Sequence, residues 1–477
     1  MKSTSLIKSG LWITYATFVT RIFVFLSSVV LARLLQPADF GVIGIAYVFW
    51  SLFTLFTQDT AGAFIIYKGA DNPKYVNTSY TVSLLTGVVL ALAMVVTAPV
   101  VADFFREPAL TGILIAFSFN LVLSSAAYVY SGIMTRRMQY QALAHISLVS
   151  SLTRLLCTTG AALLGFKYWS FVIGDTASWV INCLLSRHYS RHRFRLQLDP
   201  EVRSEVFTFC LGSVGSSIGL YLSFNADNFT VGKILGSASL GFYNLAYQLS
   251  MTVSSILSSL LNQLGMPVFA QLPIEKQEDA LFKVVEQVAF FAAASYAIIF
   301  LVFDPQFVTL LFGANWIPIC TVLPGLLFYG YFRVVNSPLY SMLVAKGRPD
   351  LNAKVSLQMA PIAVLSFVIG AWQGGIVGVS LAVAIVLGII WTLLYWWTAC
   401  KQFHWPLRKF LLSCFIPVLL SVPGILLSLQ MPLILRPFTF LLAYVLCLRF
   451  FVPEQFFQYQ LLLTKLFHRV IALRHSR

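Results

Sequence analysis

Leu31-Ala32-Arg33-Leu34-Leu35-Gln36-Pro37-Ala38-Asp39-Phe40-Gly41 returns two hundred residues later as Val231-Gly232-Lys233-Ile234-Leu235-Gly236-Ser237-Ala238-Ser239-Leu240-Gly241. The match runs on to Ala46-Tyr47 against Ala246-Tyr247, with five of seventeen positions identical (Leu35, Ala38, Gly41, Ala46, Tyr47) and Arg33 set against Lys233. Each copy joins the first and second apolar segments of a group of six. An even number of segments separates the copies, so they share one orientation, and the chain reads as a parallel repeat about an axis normal to a membrane. Two lobes facing each other across a midplane site are expected, the arrangement that transporters use for alternating access. A duplication retained only for packing is the competing reading.

The rest of the chain supports the membrane frame. Of 477 residues, 58% are hydrophobic and 10% charged, with a mean hydropathy of +0.82; soluble domains carry about 25% charged residues. Apolar runs fall at 9–33, 40–64, 79–102, 109–134, 142–165 and 168–187, then at 205–224, 237–262, 284–303, 316–339, 353–372 and 375–398, with a final pair at 410–428 and 432–450. At about 20 apolar residues per crossing, these make an all-α polytopic membrane protein of about fourteen transmembrane helices in two pseudo-symmetric six-helix lobes plus a C-terminal pair. The expected division is 1–200 for the N-lobe, 201–400 for the C-lobe, 401–452 for helices 13 and 14, and 453–477 for a basic amphipathic cytoplasmic tail.

A net charge of +15 would suit nucleic acid, but the cations sit between apolar runs, so no nucleic-acid partner is expected. About 24 of the 32 Lys and Arg fall in the N-terminus, alternate loops and C-terminus, which by the positive-inside rule puts both termini in the cytoplasm. The basic link Arg187–Arg203 reads as a topology-setting loop or as a contact for anionic head groups. Pro273–Gln287 and the tail, where charges alternate with apolar residues, read as helices along the interface. The seven Cys lie in or beside apolar segments with no CxxC and read as core residues. There is no Walker lysine motif, dinucleotide fingerprint, HExxH or soluble segment for a nucleotide sugar. Neither cofactor, metal nor catalysis is expected, which leaves an ion gradient or the substrate's own gradient as the driving force.

Charges inside the spans are the candidate site, because a central Arg costs about 2.5 to 3.5 kcal/mol to insert. Arg21 lies too deep in helix 1 to snorkel with ease, so it faces protein or water. Arg154 is mid-span in helix 5, about one turn from the depth of Asp175 in helix 6. The two form either a structural pair or an anion contact with a linked switch. Arg333 is placed nearer the cytoplasmic end of helix 10, where it either snorkels or joins the site. Asp59 and Asp227 are placed at the ends of helices 2 and 7, as hydrated termini or, with Asp175, as ion-coupling candidates. Asn225, Asp227 and Asn228 either bind sugar hydroxyls or end a span.

Several local motifs occur in family-like order: Leu31-Ala32-Arg33-Leu34-Leu35 with Asp39-Phe40-Gly41, then Lys167-Tyr168-Trp169-Ser170, Asp227-Asn228-Phe229-Thr230-Val231-Gly232-Lys233, Leu240-Gly241-Phe242-Tyr243-Asn244-Leu245-Ala246-Tyr247 and Pro267-Val268-Phe269-Ala270. On these the chain resembles the polysaccharide transporter branch of the multidrug, oligosaccharidyl-lipid and polysaccharide exporter superfamily, over roughly residues 5 to 400. The resemblance implies a flippase of the bacterial inner membrane. Its cargo would be an undecaprenyl-diphosphate-linked oligosaccharide, the repeat unit of O-antigen, capsule or exopolysaccharide. Arg21, Arg154, Arg333 and Asn225 would be the substrate contacts, membrane lipids the surroundings, and a polysaccharide polymerase and glycosyltransferases possible partners. A multidrug or small-molecule exporter of the same fold, a membrane enzyme of polysaccharide assembly and a scaffold subunit stay open as alternatives.

Overall fold

The computed structural model describes residues 3–58, 60–192, 194–348, 350–453 and 457. Among them there is no strand. The first half comprises α1 (Ser3–Leu34), α2 (Pro37–Gln58), the short α3 (Ala61–Lys68), α4 (Pro73–Phe105), α5 (Ala109–Arg136), α6 (Tyr140–Leu163) and α7 (Trp169–Ser190). The second comprises α8 (Arg203–Thr230), α9 (Gly236–Gln271), α10 (Ile274–Val302), the short α11 (Pro305–Leu311), α12 (Ile319–Ala345), α13 (Asp350–Ala382) and α14 (Trp391–Phe403), followed by the pair α15 (Leu407–Leu429) and α16 (Arg436–Phe451). Among the described residues, nine stretches have the length and hydropathy to cross a membrane unaided, and Asp350–Phe403 at 54 residues is long enough for two passes. It breaks at Gly375, whose φ of +56° and ψ of −140° only glycine adopts without strain. With both passes counted these make ten, and the further helices α7, α8, α9 and α16 bring the described residues to fourteen helical passes.

Helix limits follow local chemistry. Asn72 caps α4, its side chain accepting from the Lys74 amide at 3.0 Å with Pro73 at the first helical position. Asp304 caps α11 through the Phe307 amide at 2.9 Å, again ahead of a proline. Large apolar side chains point outward along whole helices: Leu85, Val89, Leu92, Val96 and Val100 on α4, and Leu357, Val364, Leu365 and Trp372 on α13 are all exposed. Contiguous apolar surface of that extent suits hydrocarbon and not water. Pro273–Gln287 does not lie apart along the interface as expected: from Ile274 it forms the opening turns of the single helix α10. The tail expected at 453–477 lies almost wholly outside the described residues.

The two halves meet along α2 and α9, the helices that follow the two copies of the repeat. The repeat-matched glycines make the closest approach. A methyl on Gly41 would stand 1.7 Å from the Ser237 carbonyl oxygen, and one on Gly241 would stand 1.9 Å from that of Pro37. Repeat mates thus press reciprocally on each other's helix. The matched cations cross the same seam: Arg33 donates to the carbonyls of Leu310 and Leu311 at the end of α11, and Lys233 donates to the Phe104 carbonyl at the end of α4 at 2.5 Å. Trp316, fully buried, closes the gap with its indole N–H on the Ala32 carbonyl at 2.8 Å and its ring against Phe40 and Phe242. At the opposite end, the connection between halves runs extended along α4, its amides at Arg195, Gln197 and Asp199 donating to Asn77, Thr81 and Thr78 at 3.2, 3.0 and 3.2 Å.

Candidate functional site

Beneath the seam lies a polar cavity of about 660 Å³ between the halves, lined from α1, α2, α5, α6, α7, α8 and α9. Arg21, Arg154, Asp175 and Asn225 all reach it. Asp59 lies outside the described residues.

Tyr47, on the buried face of α2, organises the first-half wall. Its hydroxyl donates to Asp175 Oδ2 at 2.5 Å and accepts from an Arg154 terminal nitrogen at 2.7 Å, while Arg154 Nε pairs with Asp175 Oδ1. The Tyr47 ring stacks on Phe117 with centroids 5.6 Å apart. Arg154 is therefore already neutralised, although about a third of its side chain (34%) stays open to the cavity.

The repeat mate Tyr247 holds the other wall. Its hydroxyl accepts from an Arg333 terminal nitrogen at 3.4 Å, and Tyr329 is a second phenol partner of that guanidinium. Arg333 stands fourteen residues after Ile319 and twelve before Ala345 in α12, so it is mid-helix and exposed to the interior space, not near an end as expected. Asp227 also differs from expectation. It is 2% exposed, accepts from the Tyr243 hydroxyl at 2.7 Å and from the Asn228 amide at 2.8 Å, and is not a hydrated helix end. The reason is a π turn, Val231–Leu235, which carries the chain past Thr230 and leaves Asp227 inside the bundle.

Arg21, on α1, is exposed to the cavity and forms no ion pair among the described residues. Its charged neighbour is the like charge of Arg333, contributed from the other half. Four further lining atoms are buried with no protein partner: Trp50 Nε1, Asn120 Oδ1, Thr158 Oγ1 and Asn228 Oδ1. Sequence reasoning named the three arginines and Asn225 but gave Tyr47 and Tyr247 no role, although the repeat had already matched them.

A two-lobed bundle of fourteen crossings around a central polar cavity is the architecture of a multi-pass membrane transporter fold. It is shared with the lipid II flippase MurJ in its inward closed conformation, at a TM-score of 0.76 over 93% of this chain and 99% of that one with 13% identity. An inward-facing multidrug resistance MATE family transporter superposes with a TM-score of 0.63 over 85% and 98% at 12% identity. The chain belongs to the polysaccharide biosynthesis protein family, whose pattern it matches over residues 30–321. It is 24% identical over 435 residues to the lipopolysaccharide biosynthesis protein WzxC of Escherichia coli (strain K12), covering 90% of this chain and 88% of that relative. It is 22% identical over 369 residues to the teichuronic acid biosynthesis protein TuaB of Bacillus subtilis (strain 168), covering 76% and 72%.

Proposed function

We propose that this chain is a flippase that carries a polyprenyl-diphosphate-linked oligosaccharide across the bacterial inner membrane, from the cytoplasmic to the outer leaflet, by rocking of its two lobes. The observation that carries the reading is Arg21 lining the central cavity without an ion pair among the described residues, with Arg333, a like charge from the other half, held on Tyr247 and Met251 of the same lining. Two cations held near each other in a low-dielectric site repel, and an anion bridging them relieves the cost. A diphosphate fits, because guanidinium forks bind phosphate bidentately. The hydroxyl-rich head group would meet the unpartnered Trp50, Asn120, Thr158 and Asn228 atoms, while the polyprenyl chain stays in lipid.

In this reading residues 1–200 and 201–400 are the rocking units, 401–452 a membrane-embedded pair and 453–477 a cytoplasmic tail. The basic loops put both termini in the cytoplasm, and the Gly41–Gly241 seam then closes the outer side. Arg154 acts through its pair with Asp175 and not as a free anion contact. Asp175 and Asp227 are the acids on which an ion gradient would act. The protein moves its cargo without changing it, before a separate polymerase and glycosyltransferases. A cationic drug would find no open carboxylate in this lining, since Asp175 is engaged.

Reconstitution tests the proposal. Proteoliposomes loaded on one leaflet with lipid-linked oligosaccharide from the producing cells are expected to translocate it with the wild-type protein and at least ten times more slowly with Arg21→Gln. Equal rates in the two would remove the cationic site, and no translocation by the wild type would remove the flippase.

A further inference from the structure

A second pocket of about 230 Å³ lies inside the second lobe; Arg333 lines it and also reaches Tyr247 and Met251 of the central cavity's lining. Apart from Arg333 its lining carries no charged residue. Four aromatic rings, Tyr329, Tyr340, Trp391 and Tyr395, share it with the small polar side chains of Ser258, Asn336, Ser337 and Asn352. The wall is built by an irregular helix. A π-helical stretch, Val383–Ile390, precedes α14 and presents Leu387, Trp391 and Tyr395 on one face at four-residue steps. Helical segments of this kind are rare and are frequently found at functional sites.

Some polar groups here are spoken for. Asn336 accepts from the Trp396 indole at 2.8 Å and donates to Thr392 at 2.7 Å, and Trp391 donates to Ser356 at 3.4 Å. Others are not: the Tyr395 hydroxyl is buried with no protein partner on a residue only 1% exposed. A buried hydroxyl left unpaired in native structure needs an explanation, and a ligand that hydrogen-bonds it is one. Trp391, partly exposed and packed on Tyr395 with ring centroids 4.8 Å apart, offers a flat apolar face beside that donor.

From this we infer that the pocket receives the first sugar of the cargo, a neutral, hydroxyl-bearing ring seated beside a diphosphate held at Arg333. A volume below the several hundred Å³ of drug-sized sites suits one ring and not a whole repeat unit. With Arg333 engaged by the diphosphate, the lining has no second charge to pair with a free acid or amine. Arg333, shared between this pocket and the central cavity's lining, sets the ring next to the phosphates. The inference rests on the diphosphate reading above and deepens it by separating two subsites, one for charge and one for sugar.

The experiment measures binding to the purified full chain in nanodiscs, with undecaprenyl diphosphate and with undecaprenyl-diphosphoryl-glucose, -galactose and -N-acetylglucosamine as probes. Wild type is expected to prefer at least one sugar-bearing probe over bare undecaprenyl diphosphate by about tenfold. Tyr395→Phe keeps the ring and removes a hydroxyl with no protein partner, so folding is unaffected. It is expected to erase most of that preference while leaving bare-diphosphate binding unchanged. Asn352→Ala is expected to act in the same direction. A preference that survives both substitutions, or no preference for any sugar in the wild type, overturns the sugar pocket. Bare-diphosphate binding that is insensitive to Arg21→Gln instead overturns the charge site, so the two readings fail separately.

Discussion

Adding one methyl group at Gly41 should open the seam between the lobes. The Cβ of Gly41→Ala would sit 1.7 Å from the Ser237 carbonyl oxygen and 2.8 Å from its Cα, both backbone atoms that no rotamer change can move aside. An ordinary carbon-to-oxygen contact is about 3.3 Å, so α2 and α9 must part by about 1.5 Å, or the closed state must be abandoned. Overpacking of this kind costs about 1 to 3 kcal/mol. Because the strain acts only where the glycines touch, about 2 kcal/mol would shift the balance between closed and open seam by roughly thirtyfold. Spin labels at Arg106 and Asn315, exposed on the two sides of the seam, would report it in nanodiscs after replacement of the seven cysteines. A longer-distance population should grow in Gly41→Ala and in Gly241→Ala. Gly160→Ala, with nothing within 4 Å of the new methyl, should leave the distances as in wild type. If Gly41→Ala kept both the wild-type distances and the wild-type thermal midpoint, the seam would not be the closure argued here.

Three other expectations follow from the same contacts. Replacing Arg33 and Lys233 together with Ala removes the two repeat-matched cationic donors across the seam and should lengthen the same label distance more than either single change; a double variant identical to wild type would make these contacts incidental. Asp175→Asn leaves Arg154 without its carboxylate and should lower unfolding stability by about 2 kcal/mol, less than for a fully buried pair because a third of Arg154 is open to the cavity. Adding Arg154→Gln to Asp175→Asn should restore part of that loss, and a further fall instead would contradict the pairing. Asn336→Leu strands both the Trp396 indole and the Thr392 hydroxyl and should cost about 2 kcal/mol in chemical denaturation, with a neutral result refuting the network.

The fold was legible because its signals repeat. Gly41 and Gly241 matched in sequence because both permit the same backbone approach, and Tyr47 and Tyr247 because each anchors an arginine of its own lobe. The depth of Arg21 followed from counting residues along an uninterrupted apolar helix. Asp227 was misplaced because Asn225-Ala226-Asp227-Asn228 looks like the end of a span; its polarity is instead satisfied sideways by Tyr243, and the π turn beyond it cannot be read from hydropathy. Arg333 was misplaced by a boundary error, since the run expected to end at residue 339 continues as α12 to Ala345. The second pocket was invisible for a different reason. Trp391 and Tyr395 at four-residue spacing look like ordinary helix core, and only three-dimensional packing separates a ring with a satisfied hydroxyl from one without.

The most direct test of the whole account is the leaflet distribution of lipid-linked oligosaccharide in cells depleted of this protein. The account predicts that the intermediate accumulates on the cytoplasmic leaflet with loss of surface polymer, and that the wild-type chain restores export but Arg21→Gln at equal protein level does not. An unchanged distribution on depletion would contradict it.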